Sequence, residues 1–594
     1  MKIRSYVIVL ILLMLIGIFL CHLYLNLIRI FDAEIMPMWS MWIGVAISSV
    51  SVTILYFACE RFRRLTPFLL AALFLLSLSF LMMPSSRYNF AVGPASGDTL
   101  KEYAIAQETF VAKKWPLELI GVNEYASALS VTVLPTVIAE VSGLPIEAVF
   151  GFIFPLIGAL VPIFLFIATR AIFHDHRIAS LSALLYGINY WYIFYAADIK
   201  KELVAIVLLL MALWSIFQRR SARYCFLALF SIFGVVFSHY TVADLTIIVF
   251  SMSLIAPWGI RKIARALKIS GIARKRITPI FTRFRAPSVI PTALLLLYLI
   301  VAALAWLFFI AYPLFLVHVN LGQRMIMNVI GLQHEELNAS IRSVAGATGG
   351  PIVTVWFDLQ FILIVIGTLY VLLRFVGDHR KAFCAYASLG VVTILGASLF
   401  IPTLTKALAP ERWVDFGYIF FAPCMSVFFL GVKTSGRRVH LKYVLCIFLL
   451  LSPTMNLLLP SEWTKTFLLY HPESEVPSVE VGLQTPVHSW DISFSEWISK
   501  YVSSTEYISM DRIGTIPAIL ANHNKTLENY PAFDENGFLI MHRYYIDFGV
   551  WLRMGEAYER VPTATKNVSI NQMYSEASIP YDNGYYELLA RVPP

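Results

Sequence analysis

The feature that most limits the possible folds of this chain is a long series of apolar segments, each about 18 to 25 residues in length. A helix of that length crosses the hydrocarbon core of a bilayer. Of the 594 residues, 58% are hydrophobic and only 14% are charged, so a soluble globule is excluded. The sequence predicts an α-helical polytopic membrane protein with about 13 spans, near residues 5–28, 36–58, 66–83, 147–169, 178–197, 201–218, 223–238, 241–258, 289–312, 354–376, 382–401, 414–431 and 443–459.

The first span follows Lys2 and Arg4, so a signal peptide is the alternative to a transmembrane helix. Its apolar run is long, and no small-residue cleavage site follows it. We therefore expect an uncleaved anchor, and residues 1–65 are expected to form two additional amino-terminal transmembrane helices.

Orientation follows from Lys and Arg, which are enriched in short cytoplasmic loops. With the amino terminus inside, the most basic segment, 261–285, which carries no acid, falls inside, as do the other basic loops at 60–64, 170–177, 218–223, 377–381 and 435–442. An odd number of spans leaves the carboxyl-terminal tail outside the plasma membrane. The net charge of +9 then needs no nucleic-acid partner to explain it. The sequons at Asn338, Asn524 and Asn567 all fall on the outer side.

The tail, residues 460–594, is acidic, with 17 Asp and Glu against 9 Lys and Arg. It is long enough for one soluble domain. A helical pattern, a short strand ending at Met510, a turn at Asp511 and a second helical pattern predict an extracytoplasmic α/β domain. The six cysteines lie in or at the edges of apolar spans at no metal-ligand spacing, so neither zinc nor redox chemistry is indicated.

The external loop at 84–146 contains the stretch "SGDTLKEYAIA", in which Asp98 and Glu102 are four residues apart. On a helix they share one face and repel each other unless a metal ion, a proton or a cation relieves the repulsion. Further along the loop, the moderately apolar stretch 123–145 predicts an interfacial helix on the outer leaflet. Reading it as a span would place the basic loop at 170–177 outside.

Charged residues recur at the other external mouths. For Asp98, Asp198 and Arg412, each taken alone, a solvated loop residue is an equally good interpretation. Together they offer a carboxylate to take a proton from an acceptor hydroxyl, and cations or a metal to hold a leaving phosphate. Carboxylates beside a phosphate would suit Mg²⁺ or Mn²⁺ rather than zinc. His239 in "FSHYT" is more often a satisfied interfacial residue, although it could reach the same phosphate. The residues at these mouths include Asp198, Lys200, Lys201, Glu202 and Arg412.

This order of elements resembles the GT-C superfamily of polytopic glycosyltransferases, which take a sugar from a polyprenyl-phosphate or polyprenyl-pyrophosphate carrier such as a dolichol. Within it, "GDTLKEY", "SALSVTVLP" and "SHYT" are similar to a group of archaeal membrane proteins of largely unassigned function. The likeness covers mainly residues 66–260, and more loosely "ERWVDFGYIFFAP" and the tail. It implies a GT-C-like transmembrane domain over residues 66–459.

The resemblance implies that Asp98 is the catalytic base or a metal-linked carboxylate, with Glu102 orienting it or sharing the metal. Asp198, with Glu202 behind it, would position the metal or the donor. Arg412 would contact the carrier phosphate, as Lys200, Lys201 and His239 could. The tail has "MDRIG" where oligosaccharyltransferases of the superfamily have WWDYG. Transfer of a single sugar is therefore expected rather than recognition of Asn sequons, and "AADIKKE" is not a tidy DxD, which leaves metal dependence open.

The function expected is an inverting transfer of a sugar from a polyprenyl-phosphate-linked donor to a glycan, lipid or protein acceptor on the outer face, by an enzyme embedded among membrane lipids. Two alternatives stay open. One is a transporter or flippase for a lipid-linked glycan, in which the charges line a pathway. The other is a relative that binds glycan without catalysis.

Overall fold

A computed structural model describes much of the transmembrane part and five strands of the tail. The described residues are 2–31, 39–88, 97–117, 124–189, 192, 200–218, 221–269, 289–312, 315–316, 319–320, 323, 351–375, 378–400, 410–431, 444–445, 447–449, 507–510, 526–528, 537–542, 577–582 and 586–591.

Helices with defined bounds overlap twelve of the thirteen predicted spans. Of the thirteenth, near 443–459, residues 444–445 and 447–449 are described and helical. Five helical stretches in the described part are long and apolar enough to cross a membrane: Ile43–Arg61, Arg63–Met82, Ile146–Phe173, Tyr240–Gly259 and Val414–Gly431. In chain order the α-helices are α1 (Lys2–Phe31), α2 (Trp39–Arg61), α3 (Thr66–Tyr88), α4 (Gly97–Ala112), α5 (Val133–Ser142), α6 (Ile146–Ala148), α7 (Phe154–Ala159), α8 (Val161–Phe173), α9 (His176–Gly187), α10 (Lys200–Phe217), α11 (Ala222–Ser238), α12 (Tyr240–Ile269), α13 (Val289–Phe309), α14 (Pro351–Arg374), α15 (His379–Phe400) and α16 (Pro410–Gly431).

Of the described residues in the stretch 123–145, predicted as an interfacial helix, Glu124–Ser127 form a 3-10 turn and only Val133–Ser142 forms an α-helix, the ten-residue α5. At a rise of about 1.5 Å per residue it is about 15 Å long, half of what a span needs. It ends at Gly143, whose φ of 70° lies in the left-handed region and whose N–H is donated to the carbonyl of Ala139. Its shortness agrees with the interpretation that it is not a span, and its place on the outer leaflet stays a prediction.

The predicted span at 147–169 is a composite of α6, a π-helical turn at Val149–Ile153, α7 and α8. Pro155 and Pro162 lie in the first turns of α7 and α8. A proline has no N–H to donate, so it is best tolerated where a helix begins, and the span is segmented at these positions.

A tight turn separates α8 from α9. His174 has a φ of 57° and donates its N–H to the carbonyl of Arg170, which ends α8. Asp175 caps α9, because its carboxylate accepts the N–H of Arg177 at 2.8 Å. The sequence "HDHR" therefore gives a two-residue reversal between neighbouring helices.

The chain divides into two compact units. One comprises Met1–Met83, Leu117–Ser130 and Ile153–Ser461, and the other comprises Pro84–Pro116, Val131–Phe152 and Glu462–Pro594. The domains predicted from sequence, 1–65, 66–459 and 460–594, stay a prediction.

In the first unit the amino-terminal pair α1 and α2 approaches closely at two glycines. A Cβ on Gly17 would lie 2.4 Å from Oγ of Ser48 and 2.5 Å from the carbonyl oxygen of Gly44. Ser48 in turn donates its hydroxyl to the carbonyl of Met14 at 3.3 Å. Small residues allow two membrane helices to pack with their backbones close together, which explains why α1 and α2 approach each other at these positions.

Arg380, near the start of α15, joins the ends of two other helices of this unit. Its guanidinium donates to the carbonyls of Ala171 in α8 and Phe217 in α10. The last carbonyls of a helix lack intrahelical hydrogen-bond donors and carry a partial negative charge. The guanidinium of Arg380 supplies these donors and also a positive charge.

The second unit contains α4, α5, α6 and the strands of the tail. These are β1 (Tyr507–Met510), β2 (Thr526–Glu528), β3 (Gly537–His542), β4 (Ala577–Asp582) and β5 (Tyr586–Arg591). They form a mixed sheet in the order β2-β1-β3-β5-β4, in which β1 pairs in parallel with β2 and β3. The predicted strand ending at Met510 is β1. The helices predicted on either side of it lie outside the described residues, and the α/β domain stays a prediction.

Candidate functional site

The first-loop carboxylates lie on α4, as the spacing predicted. Asp98 is the second residue of this helix and Glu102 follows one turn later. Glu102 is completely buried. The side chain of Asp98 lies outside the described part. The next residue, Tyr103, donates its hydroxyl to Glu147 of α6 and packs its ring against Phe150 at 5.6 Å, which holds α4 within its own unit.

In the other unit, the structure changes the interpretation of the "AADIKKE" segment. The sequence placed Lys200, Lys201 and Glu202 in a short external loop, but they form the first turn of α10 and are 1%, 0% and 3% exposed. Asp198 lies outside the described residues. Lysine and glutamate are almost never fully buried unless they are paired, so these three side chains are not the exposed loop residues that a short external loop would contain.

Two buried ammonium groups at the start of a helix are unfavourable on two counts. Burial removes their hydration, and the amino-terminal end of the helix dipole carries a partial positive charge that repels them. The same two features make this end of α10 attractive to an anion. The first turn of α10 therefore has the electrostatic character of an anion site.

A tyrosine from the external loop lies directly over one of these lysines. Nζ of Lys201 is 3.5 Å from the ring centroid of Tyr125. Tyr125 lies on the 3-10 turn Glu124–Ser127 and is itself 4% exposed. An ammonium over the face of an aromatic ring recovers part of the electrostatic energy lost on burial. Sequence reasoning missed this residue, which lies in the stretch interpreted only as an interfacial helix.

His239 lies between α11 and α12 and is 1% exposed. Its Nδ1 accepts the backbone N–H of Val242 at 3.1 Å, and its ring stacks on that of Tyr240 at 5.3 Å. A backbone N–H can only donate, so Nδ1 carries no proton and the proton of the neutral ring is on Nε2. The histidine therefore caps α12, which is a structural role, and it presents Nε2–H as its donor.

Two further polar residues, Asp415 and Tyr186, lie within electrostatic range of Glu202. Asp415, 1% exposed, is within electrostatic range of Glu202 and accepts the hydroxyl of Tyr186 at 3.4 Å. The ring of Tyr186 packs at 4.8 Å from that of Tyr192, whose hydroxyl donates to the carbonyl of Gly158 at 2.7 Å. Side chains of α9 and α16 thus form a hydrogen bond within electrostatic range of Glu202 on α10. The sequence signal for Asp415 is an acid in the first turns of an apolar helix, which usually indicates function.

Arg412 lies on α16, one turn before Asp415, and its side chain is outside the described part. The structure thus brings Lys200, Lys201 and Glu202 together on one helical turn, with Asp415 near Glu202. Asp98 and Glu102 belong to the other compact unit.

The candidate metal ligands do not form a complete set in the part of the chain that is described. No group of three or more His, Cys, Asp or Glu residues is clustered there. Glu202 and Asp415 provide two carboxylates, and two lysines are next to Glu202 in the sequence. These residues do not fit a divalent metal by themselves, because Mg²⁺ and Mn²⁺ need more oxygen ligands.

The fold and these buried charges define a helical membrane protein with a polar site where several helices meet. No family model matches the chain, and no curated protein matches it. Solved structures that are similar to it include the following three. An oligosaccharyltransferase of Archaeoglobus fulgidus in its apo form shares 13% identity, over 80% of this chain and 69% of that chain, with a TM-score of 0.45.

The archaeal oligosaccharyltransferase AglB from A. fulgidus, in complex with an inhibitory peptide and a dolichol-phosphate, shares 14% identity over 79% of this chain and 64% of that chain, with a TM-score of 0.43. ArnT from Cupriavidus metallidurans, bound to undecaprenyl phosphate, shares 10% identity over 88% of this chain and 98% of that chain, with a TM-score of 0.42. At such identities, the reaction of this chain has to be argued from its own residues.

Proposed function

We propose that this chain is a GT-C-type glycosyltransferase of the plasma membrane. It transfers a single sugar from a polyprenyl-phosphate-linked donor to an acceptor on the outer face, with inversion at the anomeric carbon. The observation that carries the proposal is the burial of Lys200 and Lys201 in the first turn of the 18-residue helix α10. A phosphate is the kind of anion that such a helix end binds.

In the proposed reaction, Lys200 and Lys201 bind the donor phosphate and stabilise the negative charge that grows on it as the bond to the sugar breaks. His239 adds a hydrogen bond from Nε2–H, and Arg412 a further cation. Glu202, the next residue on the same helical turn, is the proposed counter-charge to the two lysines when the donor is absent.

The proposal assigns proton abstraction to Asp98. As a carboxylate it accepts the proton of the acceptor hydroxyl while that oxygen attacks the anomeric carbon and the carrier phosphate leaves. Glu102, one turn along α4, orients Asp98. Dependence on Mg²⁺ or Mn²⁺ stays a prediction, and no step above depends on a metal.

The experiment that tests the phosphate site compares Lys200→Met and Lys201→Met with Lys262→Met. Lys262 is an exposed lysine that also lies over an aromatic ring, with Nζ 3.9 Å from the centroid of Trp258. Release of polyprenyl phosphate from a panel of lipid-linked sugars is measured with purified protein. We expect each buried-site variant to lose about 10²-fold or more in kcat/KM and Lys262→Met to keep wild-type turnover.

Two results count against the proposal. If all three lysine variants turn over like the wild type, the buried lysines do not hold the donor. If no donor is cleaved and wild-type vesicles instead move lipid-linked sugar across the bilayer, the chain is a flippase.

A further inference from the structure

Residues 124–130, here called the strap, contact both predicted phosphate-binding elements of their unit. At one end, the ring of Tyr125 lies over Nζ of Lys201 at 3.5 Å. At the other end, the N–H of Leu129 and the hydroxyl of Ser130 are donated to the carbonyls of Phe237 and Ser238, both at 2.9 Å.

Those two carbonyls immediately precede His239. They belong to the last turn of α11, where carbonyl groups have no partners within the helix. The strap supplies the missing donors, and so it fixes the point at which the chain leaves α11 and the His239 ring turns to cap α12. Tyr125, at the other end of the strap, restricts the position of the Lys201 ammonium, because that buried group lies against the face of its ring.

From this geometry we infer that the strap is a positioning element for the donor phosphate and that Tyr125 is its principal residue, acting through Lys201. The inference rests on the proposed function of Lys201 as a phosphate ligand. An aromatic face suits this role, since it stabilises an ammonium without cancelling its charge, whereas a carboxylate in the same place would neutralise it. The charge of Lys201 therefore remains effective toward an incoming phosphate.

The burial of the contact strengthens the effect. Lys201 is 0% exposed and Tyr125 is 4% exposed, so little water competes for the ammonium. Cation–π interactions are strongest in such desolvated places. Removing the ring is therefore expected to weaken phosphate binding by about 3- to 30-fold.

The test measures binding of undecaprenyl phosphate to the full-length protein in detergent, by competition against a fluorescent polyprenyl phosphate. Tyr125→Leu removes the ring, Tyr125→Phe keeps it, and Tyr386→Leu removes a buried tyrosine that packs elsewhere, against Ala256 and Ala382. We expect Tyr125→Leu to bind about 3- to 30-fold more weakly than the wild type. Tyr125→Phe is expected to keep most of the wild-type affinity, because it keeps the ring. Tyr386→Leu is expected to bind like the wild type.

The same substitutions are then made in a Lys201→Met background. If Tyr125 acts through Lys201, Tyr125→Leu adds no further loss there. An equal loss in both backgrounds overturns the inference, because the ring would then act on the site by another route. Wild-type affinity in Tyr125→Leu overturns it too, while leaving the proposed function intact. Failure of the wild type itself to bind undecaprenyl phosphate removes the proposed function, and the inference with it.

Ser130→Ala provides a second test that does not alter the aromatic core. It deletes one hydrogen bond of the strap to α11, and we expect affinity to fall by about 2- to 5-fold, as for loss of one neutral hydrogen bond. Unchanged affinity in Ser130→Ala, together with wild-type affinity in Tyr125→Leu, would show that the strap has no part in phosphate binding.

Discussion

The hydroxyl of Tyr186 on α9 lies 3.4 Å from Oδ1 of Asp415 on α16, and both residues are almost completely buried. Glu202, on α10, is within electrostatic range of the same carboxylate. Three helices that are far apart in the sequence are therefore connected through polar groups placed in an otherwise apolar interior. Such groups are expensive in a membrane protein, which makes them the first candidates for function.

Removing the hydroxyl of Tyr186 should destabilise the protein modestly. Tyr186→Phe leaves Asp415 without this donor, and the long distance indicates a weak bond, so a loss of about 1 kcal/mol is expected. The measurement is the thermal midpoint in detergent, with Tyr56→Phe as the matched control. The hydroxyl of Tyr56, also buried, has no hydrogen-bond partner among the described residues. Its removal should leave the midpoint unchanged or raise it; equal losses in the two variants would contradict the assignment.

Close packing of α1 against α2 should make Gly17 intolerant of even one methyl group. Gly17→Ala places a Cβ at 2.4 Å from Oγ of Ser48 and 2.5 Å from a backbone oxygen, so a loss of about 1 to 3 kcal/mol is expected from overpacking. Gly259→Ala, in α12, meets no atom within 4 Å and should be neutral or stabilising by up to about 1 kcal/mol. The thermal midpoints of the two variants check this prediction. A lower midpoint for Gly259→Ala than for Gly17→Ala would contradict it.

Arg380 should contribute more to the free energy of unfolding than the exposed Arg64 does. Arg380→Ala leaves the carbonyls of Ala171 and Phe217 without their charged donor, and we expect a loss of about 2 to 3 kcal/mol. Arg64→Ala, at an exposed residue, serves as the control and should change the midpoint little. Since Arg380 is outside the proposed site, the KM for the lipid-linked donor should not change; a raised KM with a normal midpoint would indicate a role in binding instead.

The predicted topology can be checked by labelling single cysteines in a cysteine-free protein. Cysteines at Asn338 and Asn524 should react with a membrane-impermeant maleimide in intact cells, because positive-inside analysis places both residues outside. Cysteines at Arg64 and Arg177 should react only after permeabilisation. The opposite pattern would invert the orientation and move the proposed reaction to the cytoplasmic face.

Apolar run length was enough to predict most of the helices, since a segment that must satisfy its own backbone in lipid has few alternatives to a helix. The i, i+4 spacing predicted that Asp98 and Glu102 share a helix, and the pattern of the tail predicted the strand ending at Met510. Burial of Lys200, Lys201 and Glu202 was not predictable, because it depends on packing against distant parts of the chain, of which Tyr125 over Lys201 is one example. Tyr125 was missed for the same reason, because a ring over an ammonium is a property of packing. Asp415 carried a sequence signal, as an acid in the first turns of an apolar helix, but its position near Glu202 also depends on packing.

The measurement that tests the central claim most directly is the release of polyprenyl phosphate from lipid-linked sugars by purified wild-type protein and by Asp98→Asn. This substitution keeps the shape of the side chain and removes its ability to accept a proton, so the proposed mechanism predicts a loss of about 10² to 10⁴ in kcat with the thermal midpoint unchanged. Equal turnover by the two proteins would contradict the assignment of Asp98 as the base.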